Sequence, residues 1–228
     1  MYHKPVIHFL FCIAAVVMAS AQEEIENITL QFVSFPQGNR AKPVELLVGE
    51  GETIKVNTPS NEFSKRYTVP NMESIVLGET TLDEEGNSTF SIYGQGKHKG
   101  TKNQIVLLLK RGKEHSDGFV VHCIDADETK FGGASFLFIN VSKIEVGGKI
   151  GDTEFSLEPG QQEIIKPEAN HSGGVCQVTF AYKRPDKWKT FHDTRWPAHE
   201  KVRAMVFFYQ NPKNGKVDIA PIMEVLPY

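Results

Sequence analysis

Ala204-Met205-Val206-Phe207-Phe208-Tyr209 is an unbroken apolar run, and Ile105-Val106-Leu107-Leu108-Leu109, following Gln104, is another. Each is too short for a core helix and reads as a strand buried on both faces. Other stretches alternate with period two, as half-buried strands do. They are Ile28-Thr29-Leu30-Gln31-Phe32-Val33, Thr53-Ile54-Lys55-Val56, Thr89-Phe90-Ser91-Ile92-Tyr93 and Gln177-Val178-Thr179-Phe180-Ala181-Tyr182. Turn residues separate them: Gly49-Glu50-Gly51, Glu85-Gly86-Asn87, Gly147-Gly148, Glu158-Pro159-Gly160 and Asn214-Gly215. No stretch carries a convincing amphipathic helical period. The expectation is an all-β antiparallel sandwich.

The pattern also repeats. Gln31-Phe32-Val33-Ser34-Phe35 matches Leu137-Phe138-Ile139-Asn140-Val141. The stretch from Tyr67 to Val76 matches that from Phe155 to Ile165, and Thr89–Tyr93 matches Thr179–Tyr182. A long hairpin closes each half, Ile105 to Ile124 and Met205 to Val225. The order is kept at offsets of about 90 to 106 residues, near the size of an Ig-like domain. Two related Ig-like halves in tandem are therefore expected, spanning residues 22–130 and 131–228.

Residues 1–21 have the layout of a secretory signal peptide. Lys4 supplies the charge, Phe9 to Met18 the apolar segment, and Ala19-Ser20-Ala21 a small-residue cleavage site. The mature chain is expected to begin at Gln22, with no transmembrane segment, and to be secreted or periplasmic. Its 24 Lys plus Arg stand against 28 Asp plus Glu, a formal charge of −4, which argues against bulk nucleic-acid binding. Cys123 and Cys176 survive cleavage, and in an oxidising compartment they form a candidate disulfide. Asn27, Asn87, Asn140 and Asn170 head N-x-Ser/Thr sequons, which matter only in a host that glycosylates them.

Phe138-Ile139-Asn140-Val141-Ser142, then Val146-Gly147-Gly148-Lys149-Ile150-Gly151 and Phe155-Ser156-Leu157-Glu158-Pro159-Gly160, resembles a pattern of uncharacterised secreted bacterial β-sandwich proteins. Arg195-Trp196-Pro197 and Phe208 to Gly215 fit the same pattern. The resemblance implies a bacterial envelope or secreted location. It carries no activity.

No catalytic set assembles from the sequence. There is no Gly-x-Ser-x-Gly elbow, and Ser172-Gly173-Gly174 beside His171 reads as a turn. His122 and Cys123 are adjacent in a strand, so they face opposite ways and do not share a metal ion. Asp83-Glu84-Glu85-Gly86-Asn87 and Asp125, Asp127, Glu128 read as solvated acidic turns. Gly94-Gln95-Gly96-Lys97 lacks the ending and the following helix of a phosphate loop. No cofactor and no metal are expected.

One constellation remains. Lys183 to Arg203 reads as a long loop holding Trp188, Phe191, His192, Arg195 and Trp196. Gly94 to Gln104 reads as its counterpart, holding Lys97, Lys99 and Lys102. Together they carry +7, against −11 on the remaining mature chain. Aromatics give contact area and cations give steering, so these residues are the candidate ligand site. The expected function is a non-enzymatic structural or interaction protein, with an anionic glycan or an acidic protein surface as partner. A glycan-binding module is the first alternative and a hydrolase the second.

Overall fold

A computed structural model describes residues 26–36, 43–110, 118–167 and 174–226. The signal peptide, Asn170, His171, Ser172 and Gly173 lie outside them. Among the described residues there are sixteen strands and no helix. The first half holds β1 (Asn27–Phe35), β2 (Val44–Leu47), β3 (Thr53–Val56), β4 (Tyr67–Pro70), β5 (Ser74–Leu82), β6 (Ser88–Lys97), β7 (Asn103–Lys110) and β8 (Phe119–Asp125). The second holds β9 (Phe136–Asn140), β10 (Val146–Ile150), β11 (Thr153–Leu157), β12 (Gln162–Ile165), β13 (Val175–Lys183), β14 (Trp188–Pro197), β15 (Val202–Gln210) and β16 (Val217–Val225).

The halves have one topology. The first pairs its strands as β4-β1-β7-β8 and β3-β2-β5-β6. The second pairs β12-β9-β15-β16 and β11-β10-β13-β14, the same orders shifted by eight. In each, the first strand lies parallel to the seventh, and the other pairings are antiparallel. An immunoglobulin constant domain has seven strands in ABED and CFG sheets. Each half here has eight strands and places its first beside its fourth and seventh. Even the irregularities match. Phe191 is the extra residue of a bulge in β14 between partners Phe180 and Ala181, and Tyr93 is the extra residue in β6 between Leu77 and Gly78.

The equivalences correct part of the sequence match. Gln31–Phe35 does correspond to Leu137–Val141, and the β7–β8 hairpin to β15–β16. Tyr67–Pro70, however, is β4 and corresponds to β12, not to the β11 stretch at Phe155. Thr89–Tyr93 lies in β6 and corresponds to β14, not to β13. Alternation alone cannot tell one half-buried strand from its neighbour.

The four sheets stack as four layers. Leu30, Phe32, Val106 and Leu108 fill the core inside the first half. Phe136, Phe138, Val206 and Phe208 fill the core inside the second. The alternate residues of the same strands, Val33, Phe35, Ile105, Leu107, Leu137, Ile139, Met205 and Phe207, form a third core between the halves. Strands β1, β7, β9 and β15 therefore bury both faces, which is why β7 and β15 are unbroken apolar runs. Residues 126–135 connect the halves, and Ala126 N donates to Asn103 O at 2.9 Å. Phe35 stacks on Phe207 at 4.5 Å, while Arg203 reaches Gln31, so β1 and β15 run in the same direction. Both halves thus point the same way.

The cysteines are not bridged. Cys123 and Cys176 are free and buried, Cys123 in the core of the first half and Cys176 in that of the second. The two middle sheets lie between them, too far for a bond that needs Cα atoms within about 7 Å. Burial pushes the Cys123 thiol up to about 11, so it is protonated and unreactive at neutral pH. Asn140 is fully buried, and its Nδ2 donates to Ile144 O and Leu157 O, both at 2.9 Å. Its sequon is closed to glycosylation in the folded protein.

Candidate functional site

The stretch from Lys183 to Arg203 is mostly strand, not loop. Strand β14 pairs with β13 from Trp188 to Pro197. The two tryptophans sit at its ends, about 26 Å apart at roughly 3.3 Å per residue. They do different things.

Trp196 is core. It is 7% exposed, lies 5.3 Å from Phe180 and 6.0 Å from Phe136, and packs within the second half. It is not a contact ring. Trp196→Ala should lower stability by about 3 kcal/mol, the low end for a large core aromatic because the ring lies on an edge strand. Chemical denaturation of the variant measures this. His192 stacks on Phe180 at 5.8 Å, and its Nε2 is buried with no partner. Phe191, the bulged residue, packs on the same core and lies 6.0 Å from Tyr182.

Trp188 is surface, 44% exposed. It pairs with Lys183, which points away from the core because Val178 and Phe180 on the same strand point inward. The ring lies over Gly147, where a Cβ would stand only 3.3 Å from it. Lys183 Nζ is 6.0 Å from the ring centre and bonds Glu145 Oε2 at 2.6 Å. Ser156 Oγ donates to the other Glu145 oxygen at 2.9 Å. Lys183 and Ser156 hold the Glu145 carboxyl below its usual range. On the opposite face, Arg184 Nη2 donates to the Tyr182 hydroxyl at 3.1 Å and lowers that phenol's pKa. With exposed Lys187 and Lys189, these residues make the β13–β14 hairpin a basic aromatic ribbon. Its turn lies beyond the last β10 pairing, at Tyr182.

The other candidate lysines are elsewhere. Gly94 to Lys97 belong to β6, and the glycines are there for packing. A Cβ on Gly94 would come 2.8 Å from Phe119 O, and one on Gly96 would come 2.7 Å from Val121 Cγ1, so both let β6 close onto β8. Lys97, Lys99 and Lys102 are exposed around the β6–β7 loop, where Lys102 O accepts from Thr29 N at 2.7 Å. That loop adjoins the 126–135 connection. Arg195, pairing with Gln177 as Lys97 does with Ser74, sits at the same end. The turn at 184–187 is at the opposite end. The two basic stretches therefore do not form one surface.

Arg203, counted in the sequence among the loop cations, is buried at 2% exposure. It bonds Glu224 at 2.6 Å, Phe131 O at 2.8 Å, Ala126 O at 3.3 Å and Gln31 Oε1 at 3.3 Å. Gln31 Nε2 in turn donates to the other Glu224 oxygen at 2.7 Å. Its guanidinium lies 4.9 Å from the Phe131 ring centre. This cluster ties β1, β15, β16 and the connection together. The neighbouring cavity, about 20 Å³, is lined by Gln31, Arg66, Asn103, Gln104, Glu128 and Arg203 among others, and has room for about one water. The sequence signal for it was slight: a lone arginine just before a doubly buried run.

The acidic turns are engaged in local bonds. Asp83 Oδ1 accepts from Glu85 N at 3.0 Å and Asn87 N at 2.7 Å, and the Asn87 amide holds its carboxyl below the usual range. Asp125 pairs with Lys130 at 2.5 Å, and Asp127 accepts from Thr129 N at 2.8 Å. Among the described residues, no group of three His, Cys, Asp or Glu side chains is placed to hold a metal.

No protein-family model matches the chain, and no curated protein matches it significantly.

Proposed function

We propose that this is a secreted or periplasmic, non-enzymatic interaction protein that docks through the β13–β14 ribbon to an acidic protein surface. The observation that carries the reading is the ribbon itself. Trp188 is a large exposed ring on one face of it beside Lys183, and Arg184, Lys187 and Lys189 line the other face. Such a surface combines contact area with steering. Trp188 also favours a second reading, an anionic glycan, since an exposed indole held against a sheet can stack on a sugar ring.

Two immobilised probes test both, poly-glutamate for the acidic protein face and polygalacturonate for the glycan. Binding to poly-glutamate should be strong at low salt and lost at high salt. Arg184→Glu with Lys187→Glu should weaken it at least tenfold. Trp188→Ala should leave stability almost unchanged. A selective loss of polygalacturonate binding in Trp188→Ala would favour the glycan. Unchanged binding of the charge-reversed variant to both probes would overturn the ribbon as the docking element.

A further inference from the structure

The hairpin equivalent to the basic ribbon is acidic. β5–β6 carries Glu79, Asp83, Glu84 and Glu85, all exposed, and no Lys or Arg from Ser74 to Tyr93. Past Gly78 it has left β2, its other neighbour, and continues as two strands alone. Its outward face holds an apolar row. Leu82 is 72% exposed, Ile92 is 61% exposed, and between them the Phe90 ring lies over Gly78. The ladder pairs Gly78 with Ile92 and Thr80 with Phe90 on one face. That face is outward because Glu45, opposite Gly78, lies between core residues Val44 and Leu46. Phe90 and Trp188 hold equivalent places, opposite Thr80 and Lys183.

We infer that the partner of the basic ribbon is the acidic ribbon of a second copy of this chain; this rests on the docking role proposed above. The placement supports it. Both ribbons leave the end of the molecule far from the 126–135 connection, because the halves point the same way. One lies on the outermost sheet of each half, and those outer faces look in opposite directions. The two ribbons stand at opposite side edges of the stack, because β6 lies against β8 while β14 lies on the β16 side that faces β1. Moving a second copy along the layer normal and sideways by about two strand spacings, roughly 10 Å, without turning it over, lays its acidic ribbon on the basic ribbon of the first. Leu82, Phe90 and Ile92 then cover Trp188, and the longer acidic turn reaches past the tip of the basic ribbon, where Glu84 and Glu85 fold over toward Arg184 and Lys187 on its far face. The contact is head-to-tail and leaves a free ribbon at each end, so it propagates as a linear stack. With four layers spaced roughly 10 Å apart, the repeat is about 40 Å. The exposed apolar row and the opposite charges are then parts of one interface.

Sedimentation of the mature chain, across concentration and salt, tests this. The wild type should associate with rising concentration and dissociate at high salt. Glu84→Lys with Glu85→Lys, and Arg184→Glu with Lys187→Glu, should each weaken self-association at least tenfold. An equimolar mixture of the two variants should recover it, because each then offers the charge the other lacks. Leu82→Ser with Ile92→Ser should also weaken it, and circular dichroism checks that each variant is folded. A wild type that stays monomeric, or a mixture that does not recover, overturns the inference. The docking reading fails separately: Glu84→Lys with Glu85→Lys leaves the basic ribbon intact and should still bind poly-glutamate.

Discussion

Arg203→Ala should cost about 4–5 kcal/mol of folding stability. The guanidinium is the shared partner of Glu224, Gln31 and the carbonyls of Ala126 and Phe131. Removing it leaves a carboxylate at low exposure with only Gln31 close and Arg66 at 4.0 Å, and leaves two buried carbonyls short of a donor. Breaking a buried pair from one side typically costs 3–5 kcal/mol, since the remaining charge is uncompensated. The upper part of that range applies because the carbonyls belong to the connection between the halves. Arg203→Met with Glu224→Leu removes both charges and should cost less than the single change. Urea titration of both variants makes the comparison. A single change as mild as the double change would mean that the charge is already compensated by solvent.

Phe207→Ala should cost about 3–5 kcal/mol, from lost burial and the cavity left behind. Phe207 is fully buried between the two middle sheets and stacks on Phe35 of the other half. The loss should be felt by both halves, because β1, β7, β9 and β15 each contribute to the core it fills. Two reporters separate the halves. Both tryptophans lie in the second, and in a Cys176→Ala background the remaining thiol of the mature chain, Cys123, lies in the first. In that background, tryptophan fluorescence and Cys123 accessibility should change in one transition. In Phe207→Ala both midpoints should fall together. A shift of the fluorescence midpoint alone would show that the halves unfold independently.

The ribbon reading and the stability predictions rest on different residues, which keeps them separable. Trp188, Arg184 and Lys187 are exposed, so changing them tests docking. Trp196, Phe207 and Arg203 are buried, so changing them tests the fold.

Local sequence determined the strands and the doubling of the chain. Unbroken runs at β7 and β15 required sheets covered on both sides, because in a strand every second residue faces each way. Gln31–Phe35 and Leu137–Val141 matched because both strands serve two cores and so obey the same constraint along their length. Strand β14 was illegible for a local reason: the bulge at Phe191 inserts one residue, shifts the alternation, and leaves Trp188 outward and Trp196 inward. The remainder was decided by tertiary structure alone. A pair of cysteines says nothing about which core each enters, and here the middle sheets separate them. Arg203 and Lys187 are alike as letters, yet one is enclosed by the connection between the halves and the other stands on a turn. Only the stacking of the layers settles which charges are bound inside and which remain outside, because burial is a property of neighbours distant in the chain.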